Sequence, residues 1–463
     1  MKNTKVCVIG LGYVGLPLAA LCAIRGHDVI GLERNKNIID KINLGKSHIQ
    51  DFQVENLLSK AHKTKKFHAT SIPEDASDSE FYLICVPTPV DENNEPDLSP
   101  LYSSIETIGP LIKKNDVVVI ESTVFPGTCE NEVIPRLNEK TNMTEGVDYF
   151  VAHCPERVNP GDDFWTTKNI PRVIGATCEM GAEKSSEFYN SILGGGIIDV
   201  REIKLSNVPK FSTDQNGSLK VSHPPLGSIT KMKSIRDAEA VKAMENTVRD
   251  VNIAFVNELA KISNVLNLNV LDIIDGMSTK PFGKGPFYPG VGVGGHCIAV
   301  DPEWLRSASI KAGFIPEIIE LARSTNNGMP EYVVSLLEQL LGTLGMTIEG
   351  TNILIIGATY KRNVDDMRES PFFEIRKILK KKKAQINVYD SWVSSENTVI
   401  SLQDGMKLAH AVILVTDHDD IVAELKSMLF SNLPLKVFVD GRNCLPSELV
   451  KKHGILYCGV GRR

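Results

Sequence analysis

Residues 5–33 read KVCVIGLGYVGLPLAALCAIRGHDVIGLE, and this stretch decides the fold. Lys5 to Ile9 is a strand-type run, Gly10-Leu11-Gly12-Tyr13-Val14-Gly15 follows it, Leu16 to Arg25 is helical in pattern, and Asp28 to Glu33 is a second strand. A GxGxxG on its own is weak. Set between a strand and a helix, with an acidic residue 23 positions after Gly10 at the end of the next strand, it reads as a dinucleotide-binding βαβ unit. Gly10, Gly12, Tyr13, Val14 and Gly15 are the expected cradle, in which glycines allow a tight turn and a pyrophosphate reaches the unpaired N–H groups of the helix N-terminus. Glu33 is placed to accept the adenosine ribose hydroxyls and to repel a 2′-phosphate, so NAD is expected over NADP. Arg34 beside it is the residue type that would meet a 2′-phosphate.

Working outward, EFYLICV, DVVVIES and DYFVAHC continue the alternation of short apolar runs with helical stretches to about residue 175. From Asn352 the pattern restarts with TNILIIG, AQINVYD, AHAVILVT and LKVFVDG. The class is α/β, with two Rossmann-like, doubly wound parallel-sheet domains. Between them, Asp237 to Ile262 carries apolar residues at 240, 241, 244, 248, 251, 255, 259 and 262, which are helical spacings. Such a helix is ~39 Å long at ~1.5 Å per residue, and it is expected to join the two halves. Its apolar stripe fits either a dimer face or a buried intrachain face. The expected organisation is 1–203 for the NAD-binding domain, 204–236 for a flexible insertion, 237–345 for a central helical and catalytic-cysteine region, and 346–463 for the second Rossmann-like domain. Lysines 204, 210, 220, 231 and 233 with only Asp214 make the insertion a solvated, peripheral loop without chemistry.

At ~150 residues per domain, 463 residues exclude a single small binding module. A net charge of −6 argues against nucleic acid or an anionic membrane as a bulk electrostatic partner. Nine cysteines without a CxxC argue against a disulfide or zinc framework, so no metal is expected and a reducing cytoplasm fits best. The sequence runs directly into a strand with no leader pattern, and its longest apolar run, Leu18 to Ile24, is far short of the ~18 residues that cross a bilayer. A soluble protein is expected.

Cys297 stands apart from the other eight thiols, for which a buried structural fate is expected. It lies in GVGGHCIAVDP at 292–302, at the end of a stretch, Thr279 to Gly295, with six glycines and three prolines. The glycines are read as letting a bulky substrate and backbone amides approach the sulfur, with His296 and Asp301 near enough in sequence to tune proton positions. A nucleotide cofactor together with a nucleophilic thiol suggests oxidation through a thiohemiacetal and a thioester.

The turn VIGLGYVGLP, VPTP at 86–89, ESTVFPGT at 121–128, CPERVNPG at 154–161, AEAVKAMENTVRDVNIAFVNE at 238–258, GVGGHCIAVDP and GATYKRNVDDMRESP at 357–371 occur in an order that resembles the UDP-sugar 6-dehydrogenases. The resemblance covers most of the chain. It implies a four-electron oxidation of a sugar 6-hydroxyl to a carboxylate with two NAD+ in turn, and Cys297 as nucleophile. It also implies oxyanion stabilisation by Lys242 and Asn246, which are four apart and share a helix face. Asp301 and Thr123 match positions that hold a water and serve proton transfer, and Glu156 matches the carboxylate of thioester hydrolysis. Pro87, Thr88 and Thr123 fall with the cofactor; Glu156, Arg157, Lys242, Asn246, Phe287, Tyr288, Gly294, Lys361, Arg368 and Arg442 fall with the UDP-sugar. Arg442 is implied to reach a substrate, even that of a neighbouring subunit, and a homodimer or higher homo-oligomer is implied.

Without the resemblance, Lys242 reads as a solvated helix residue, Glu156 as half of a surface salt bridge, and Lys361, Arg368 and Arg442 as surface charges. Gly357-Ala358-Thr359-Tyr360-Lys361 lacks the GxGxxG spacing, so the second domain is expected to be a poor NAD site. His296 and Val300 stand where relatives acting on UDP-glucose carry serine and lysine. GGHCIAVDP therefore resembles the branch that oxidises UDP-N-acetylhexosamines, UDP-N-acetylmannosamine first, with UDP-N-acetylglucosamine close behind and UDP-glucose after them. A two-electron hydroxyacid dehydrogenase, which needs no Cys297, and a non-catalytic nucleotide sensor are the competing readings.

Overall fold

A computed structural model describes residues 3–89, 96–158, 164–202, 226–280, 286–295, 297–428 and 430–462. The chain forms two compact units, Met1–Met244 and Glu245–Arg463.

The first unit is built on a nine-stranded sheet: β1 (Lys5–Ile9), β2 (Asp28–Leu32), β3 (Phe67–Thr70), β4 (Phe81–Ile84), β5 (Val117–Ile120), β6 (Phe150–His153), β7 (Arg172–Ala176), β8 (Ile197–Asp199) and β9 (Ile229–Lys231). The spatial order is β3-β2-β1-β4-β5-β6-β7-β9-β8. Its first six positions are the Rossmann order, with a crevice at the carboxyl ends of β1 and β4, where the direction of winding reverses. The strands β4 to β6 are apolar on both faces because helices cover both. The sheet is not wholly parallel, since β6 pairs with β7 in antiparallel fashion.

Two further features differ from the sequence expectation. Most of the expected insertion, residues 203–225, lies outside the described residues. Ile229–Lys231, however, is a strand paired in parallel with both β7 and β8, and Ile229 is fully buried. The polar composition of the surrounding stretch hid this three-residue strand. The long helix runs from Ile235 to Val265, 31 residues. Its buried side mixes Glu239, Lys242, Thr247, Asp250, Asn257, Ser263 and Asn264 with Ile235, Ala238, Ala243, Ala254, Val256 and Ala260, whereas Met244, Val248, Phe255 and Ile262 of the apolar stripe are exposed. The intrachain burial of that stripe is therefore corrected at these four positions, while Leu259 is partly buried against the core of the second unit.

The second unit contains a five-stranded parallel sheet: β10 (Asn352–Ile356), β11 (Gln385–Tyr389), β12 (Ala411–Leu414), β13 (Val437–Asp440) and β14 (Leu456–Gly459), in the order β11-β10-β12-β13-β14. This is the other common doubly wound order. Helices Val270–Ser278, Asp301–Lys311, Glu317–Asn327 and Met329–Thr343 precede it.

Candidate active site

At the end of β1 the chain turns at Gly10 with φ +86°, and a Cβ there would stand 3.0 Å from the Cys85 carbonyl oxygen. At Gly15 a Cβ would stand 1.9 Å from the Gly10 carbonyl oxygen, so the helix Gly15–Ile24 closes onto the turn only with glycine. A Cβ at Gly12 would meet nothing within 4 Å, which leaves room over the helix N-terminus. Glu33 is fixed beside this turn: Leu11 N donates to one oxygen at 3.2 Å, Arg34 N and Asn35 N to the other at 2.8 and 3.0 Å. The exposed Arg34 guanidinium donates to Ser103 Oγ instead. Tyr13 is exposed and Val14 half-buried; Pro87 is exposed after β4. Thr88 is buried and donates to the Thr123 carbonyl at 2.8 Å, tying the loops that follow β4 and β5. A dinucleotide fits this set: amides and space for the pyrophosphate, and a restrained carboxylate for the ribose.

Glu33→Gln removes the charged acceptor for the ribose hydroxyls. Hydrogen bonds to charged groups contribute about 1.5–3 kcal/mol, so KM for NAD+ should rise about tenfold or more while KM for the sugar nucleotide stays put. Initial rates against both substrates check this; an unchanged KM for NAD+ would remove Glu33 from the cofactor site.

Glu156 is no surface salt bridge. Its Oε1 accepts from Arg157 N at 2.7 Å and Val158 N at 2.9 Å, and its Oε2 from Arg172 Nη2 at 2.5 Å. The Arg172 side chain is 1% exposed and that of Glu156 10%. The other arm of Arg172 donates to Glu121 Oε2 at 2.7 Å, and Tyr189 donates to Glu121 Oε1. Burial pushes Glu121 up to about 7, against the pull of Arg172. Arg157 donates to the Pro171 carbonyl at 3.0 Å, so part of its guanidinium is anchored within the unit. Thr123 is half-buried. Its loop is held from the long helix by Glu239, which accepts from Gly127 N and Cys129 N at 2.5 and 2.7 Å. Lys242, one turn further along the helix, is 8% exposed and makes no ion pair among the described residues. The solvated reading of Lys242 is corrected. Arg172, Glu121 and Glu239 were missed; the available signal was a charged residue opening or adjoining an otherwise apolar run.

In the second unit, Asn246 Nδ2 donates to Asp301 Oδ2 at 2.5 Å, and both residues are withdrawn from solvent, Asp301 fully. Asp301 N donates to the Cys297 carbonyl at 2.8 Å, so Cys297 immediately precedes the helix Asp301–Lys311. All nine cysteines are described, and the thiol of Cys297 is the exposed one. Burial pushes Cys7, Cys22, Cys85, Cys129, Cys154 and Cys444 well up, which keeps them protonated and inert. His296 lies outside the described residues.

The glycine loop needs one correction. A Cβ at Gly294 would stand 2.5 Å from the Glu369 carbonyl oxygen, and at Gly295 (φ +87°) 2.7 Å from the Tyr360 ring. Gly295 N donates to the Arg368 carbonyl at 3.0 Å. The space beside these glycines is filled by the chain itself, so their smallness serves loop packing rather than substrate access. Gly290 N donates to Asn257 Oδ1 at 3.0 Å, anchoring the loop to the long helix. Phe287 is half-buried, and Tyr288 is exposed beside Asp275, which with burial pushes its hydroxyl up.

Lys361 is half-buried and Arg368 is half exposed, gripping Asp366 through Nε at 3.0 Å and Nη2 at 2.7 Å. Arg442 is held within its own unit, donating to the Val415 carbonyl at 2.9 Å and the Tyr360 carbonyl at 3.0 Å. These bonds hold Nε and Nη2 of a half-buried guanidinium, so the reading of Arg442 as an ordinary surface charge is corrected. The first turn of this sheet also needs glycine, since Gly357 has φ +91° and a Cβ there would stand 2.5 Å from Thr416. Asp390, following β11, turns inward to Ala358 N at 2.7 Å and to His418 at 3.2 Å. Burial opposes its ionisation, but His418 and the amides hold it down at about 2. The carboxylate that Glu33 presents at the first turn thus has its counterpart sealed here.

Three segments match the domains of one family: residues 4–193 the NAD binding domain, 236–328 the central domain and 354–447 the UDP binding domain of the UDP-glucose/GDP-mannose dehydrogenase family. The chain belongs to that family. It is an NAD-dependent oxidoreductase, and its α/β class with two Rossmann-like domains agrees with the sequence expectation. The chain is 32% identical over 458 residues to the UDP-N-acetyl-D-mannosamine dehydrogenase of Pyrococcus horikoshii, covering 99% of each. It is 36% identical over 396 residues to the UDP-N-acetyl-D-glucosamine 6-dehydrogenase of Salmonella typhi, covering 86% of this chain and 84% of that protein. Among solved structures, the UDP-D-ManNAc dehydrogenase from Pyrococcus horikoshii superposes with a TM-score of 0.86 at 32% identity over 99% of both chains. Among the described residues, no helix of this family member is long and apolar enough to cross a membrane.

Proposed function

We propose that the chain oxidises the 6-hydroxyl of a UDP-N-acetylhexosamine, UDP-N-acetylmannosamine foremost, to the carboxylate in two NAD-dependent steps through a Cys297 thiohemiacetal and thioester. The observation that carries the reading is the exposed Cys297, whose carbonyl accepts from Asp301 N of the hydrogen-bonded Asn246–Asp301 pair, against eight less exposed cysteines. NAD+ held at the first turn would supply the hydride acceptor, one molecule for each oxidation, the first leaving as NADH before the second binds. The chain does the rest. Asp301, fixed by Asn246, holds a water that takes the hydroxyl proton as the C6 hydride departs. The Cys297 sulfur then bonds to the aldehyde carbon, and a second hydride departure leaves the thioester. Lys242 and Asn246 donate to the oxyanion that forms whenever that carbon becomes tetrahedral. Water attacks the thioester, Glu156 accepts its proton, the C–S bond breaks and the sulfur is reprotonated.

Thr123 joins the water network, and Arg157, Phe287, Tyr288, Gly294 through its backbone, Lys361, Arg368 and Arg442 hold the UDP-sugar. Self-association through the exposed apolar edge of the long helix, Met244, Val248, Phe255 and Ile262, belongs to the same proposal, with a second copy as the partner. The substrate choice is supported by the mannosamine enzyme that aligns along nearly the whole chain. A second reading, UDP-N-acetylglucosamine, is favoured by the relative of higher identity over a shorter span. A panel of UDP-N-acetylmannosamine, UDP-N-acetylglucosamine and UDP-glucose with NAD+, followed by NADH absorbance, separates them. The highest kcat/KM is expected with the mannosamine epimer; activity confined to UDP-glucose would overturn the substrate class.

A further inference from the structure

Arg172, which opens β7, serves two acids at once. Its side chain is 1% exposed and bridges Glu121 (0%) and Glu156 (10%). A lone structural clamp needs one carboxylate. Two acids on one buried cation leave an excess negative charge out of water, a costly arrangement when nothing else uses it. An ionised carboxylate offers about four lone-pair sites. On Glu156, three are taken by Arg157 N, Val158 N and Arg172 Nη2. One direction therefore remains for a water.

We propose that Arg172 and Glu121 are positioning residues for Glu156: Arg172 fixes the direction of its free lone pair, and the charge on Glu121 sets how far Arg172 weakens it as a base. This rests on the assignment of Glu156 to thioester hydrolysis. In that step the water oxygen bonds to the thioester carbon while its proton goes to Glu156. The C–S bond then breaks, its electron pair stays on sulfur, and the proton passes to Cys297; nothing is oxidised or reduced.

When Glu121 is ionised it shares the charge of Arg172, which then draws less on Glu156 and leaves the free lone pair available to the water's proton. When Glu121 is neutral, Glu156 faces the undivided charge of Arg172 and that lone pair is less available. The groups facing Glu121 are Arg172 from β7, Glu156 and Cys154 from the chain after β6, Tyr189 from the helix Glu179–Leu193, Cys85 after β4 and Cys22 from the first helix. The three thiols are kept neutral by burial, and Tyr189 donates to Glu121. Arg172 and Glu156 are thus the charged neighbours that act on it. Burial pushes Glu121 up to about 7, so rising pH around neutrality should accelerate hydrolysis.

The test loads the full-length enzyme with UDP-N-acetylmannosamine and NAD+, quenches in acid and follows the bound thioester by intact mass across pH. Wild type should show a step near neutrality. Glu121→Gln should flatten that step and slow hydrolysis about tenfold, the rate equivalent of one pH unit on a base-limited limb, with the first NADH burst unchanged. Arg172→Lys keeps the charge but loses the fork, and should slow hydrolysis by about as much. Should either fail to fold, Tyr189→Phe removes only a donor to Glu121 and should move the step to higher pH. Wild-type thioester levels and an unmoved step in folded Glu121→Gln or Tyr189→Phe would overturn the inference. Glu156→Gln separates it from the underlying reading: thioester accumulation there supports the role of Glu156 whatever the other variants do, whereas hydrolysis at the wild-type rate removes that role and the inference with it.

Discussion

Replacing Cys297 by alanine should lower uronate formation by about 10³-fold or more and cut NADH from two per sugar to one at most. The argument is one of access and proton affinity. Six of the other thiols are forced into the neutral form by burial, whereas Cys297 is exposed and immediately precedes a helix of its own unit. An aldehyde formed by the first oxidation needs a captor before it can lose a second hydride. Without the sulfur it is released, or hydrated, after one NADH. The folded state should be unaffected, because an exposed side chain contributes little packing. Counting NADH against sugar consumed, with thermal melts as control, checks both parts. Undiminished turnover in Cys297→Ala would remove the covalent mechanism, and one NADH per sugar in both proteins would favour the two-electron reading of the fold.

The second large effect is expected at Lys242. Lys242, 8% exposed as a residue and with no ion pair among the described residues, shares its helix face with Ala238 and Glu239. Removing water from a cation is costly unless an anion arrives. In the proposed cycle the anion is the tetrahedral oxyanion, present only as the reaction proceeds, so the interaction is stronger in the transition state than in the ground state. Lys242→Met should therefore lower kcat by about 10²–10³-fold, about 2.7–4 kcal/mol, with a smaller change in KM. Because methionine keeps the buried apolar stem and only the unpaired charge is lost, the variant should melt no lower than wild type. Steady-state kinetics and a melt together decide: a wild-type kcat with a lowered melting point would make Lys242 a structural residue.

How much of this was legible follows from the kind of signal. The first βαβ unit was readable because GLGYVG is a backbone requirement: Gly10 needs its positive φ and Gly15 the 1.9 Å clearance. Four of the five strands of the second sheet were readable, three from apolar runs and Gln385–Tyr389 from its alternation, while Leu456–Gly459, LYCG, was too mixed to stand out. The strand Ile229–Lys231 was invisible because its partners β7 and β8 lie well before it in sequence. The long helix was legible as a helix, yet its orientation was not. Periodicity reports that a stripe exists, and here the apolar stripe faces outward while Glu239, Lys242 and Asp250 face in. The buried cluster of Glu121, Glu156, Arg172 and Tyr189 draws on four separate segments, a juxtaposition that no local spacing encodes. The glycines before Cys297 were noticed for the wrong reason: Tyr360 and Glu369, far along the chain, require their smallness.

The most direct measurement is a rapid acid quench of the wild-type enzyme turning over UDP-N-acetylmannosamine with NAD+, followed by proteolysis and mass spectrometry of the peptide containing Cys297. The account predicts that peptide carrying the uronyl group in thioester linkage during turnover, and free again once substrate is exhausted. A Cys297 peptide left unmodified at every time point, while two NADH form per sugar, would contradict it.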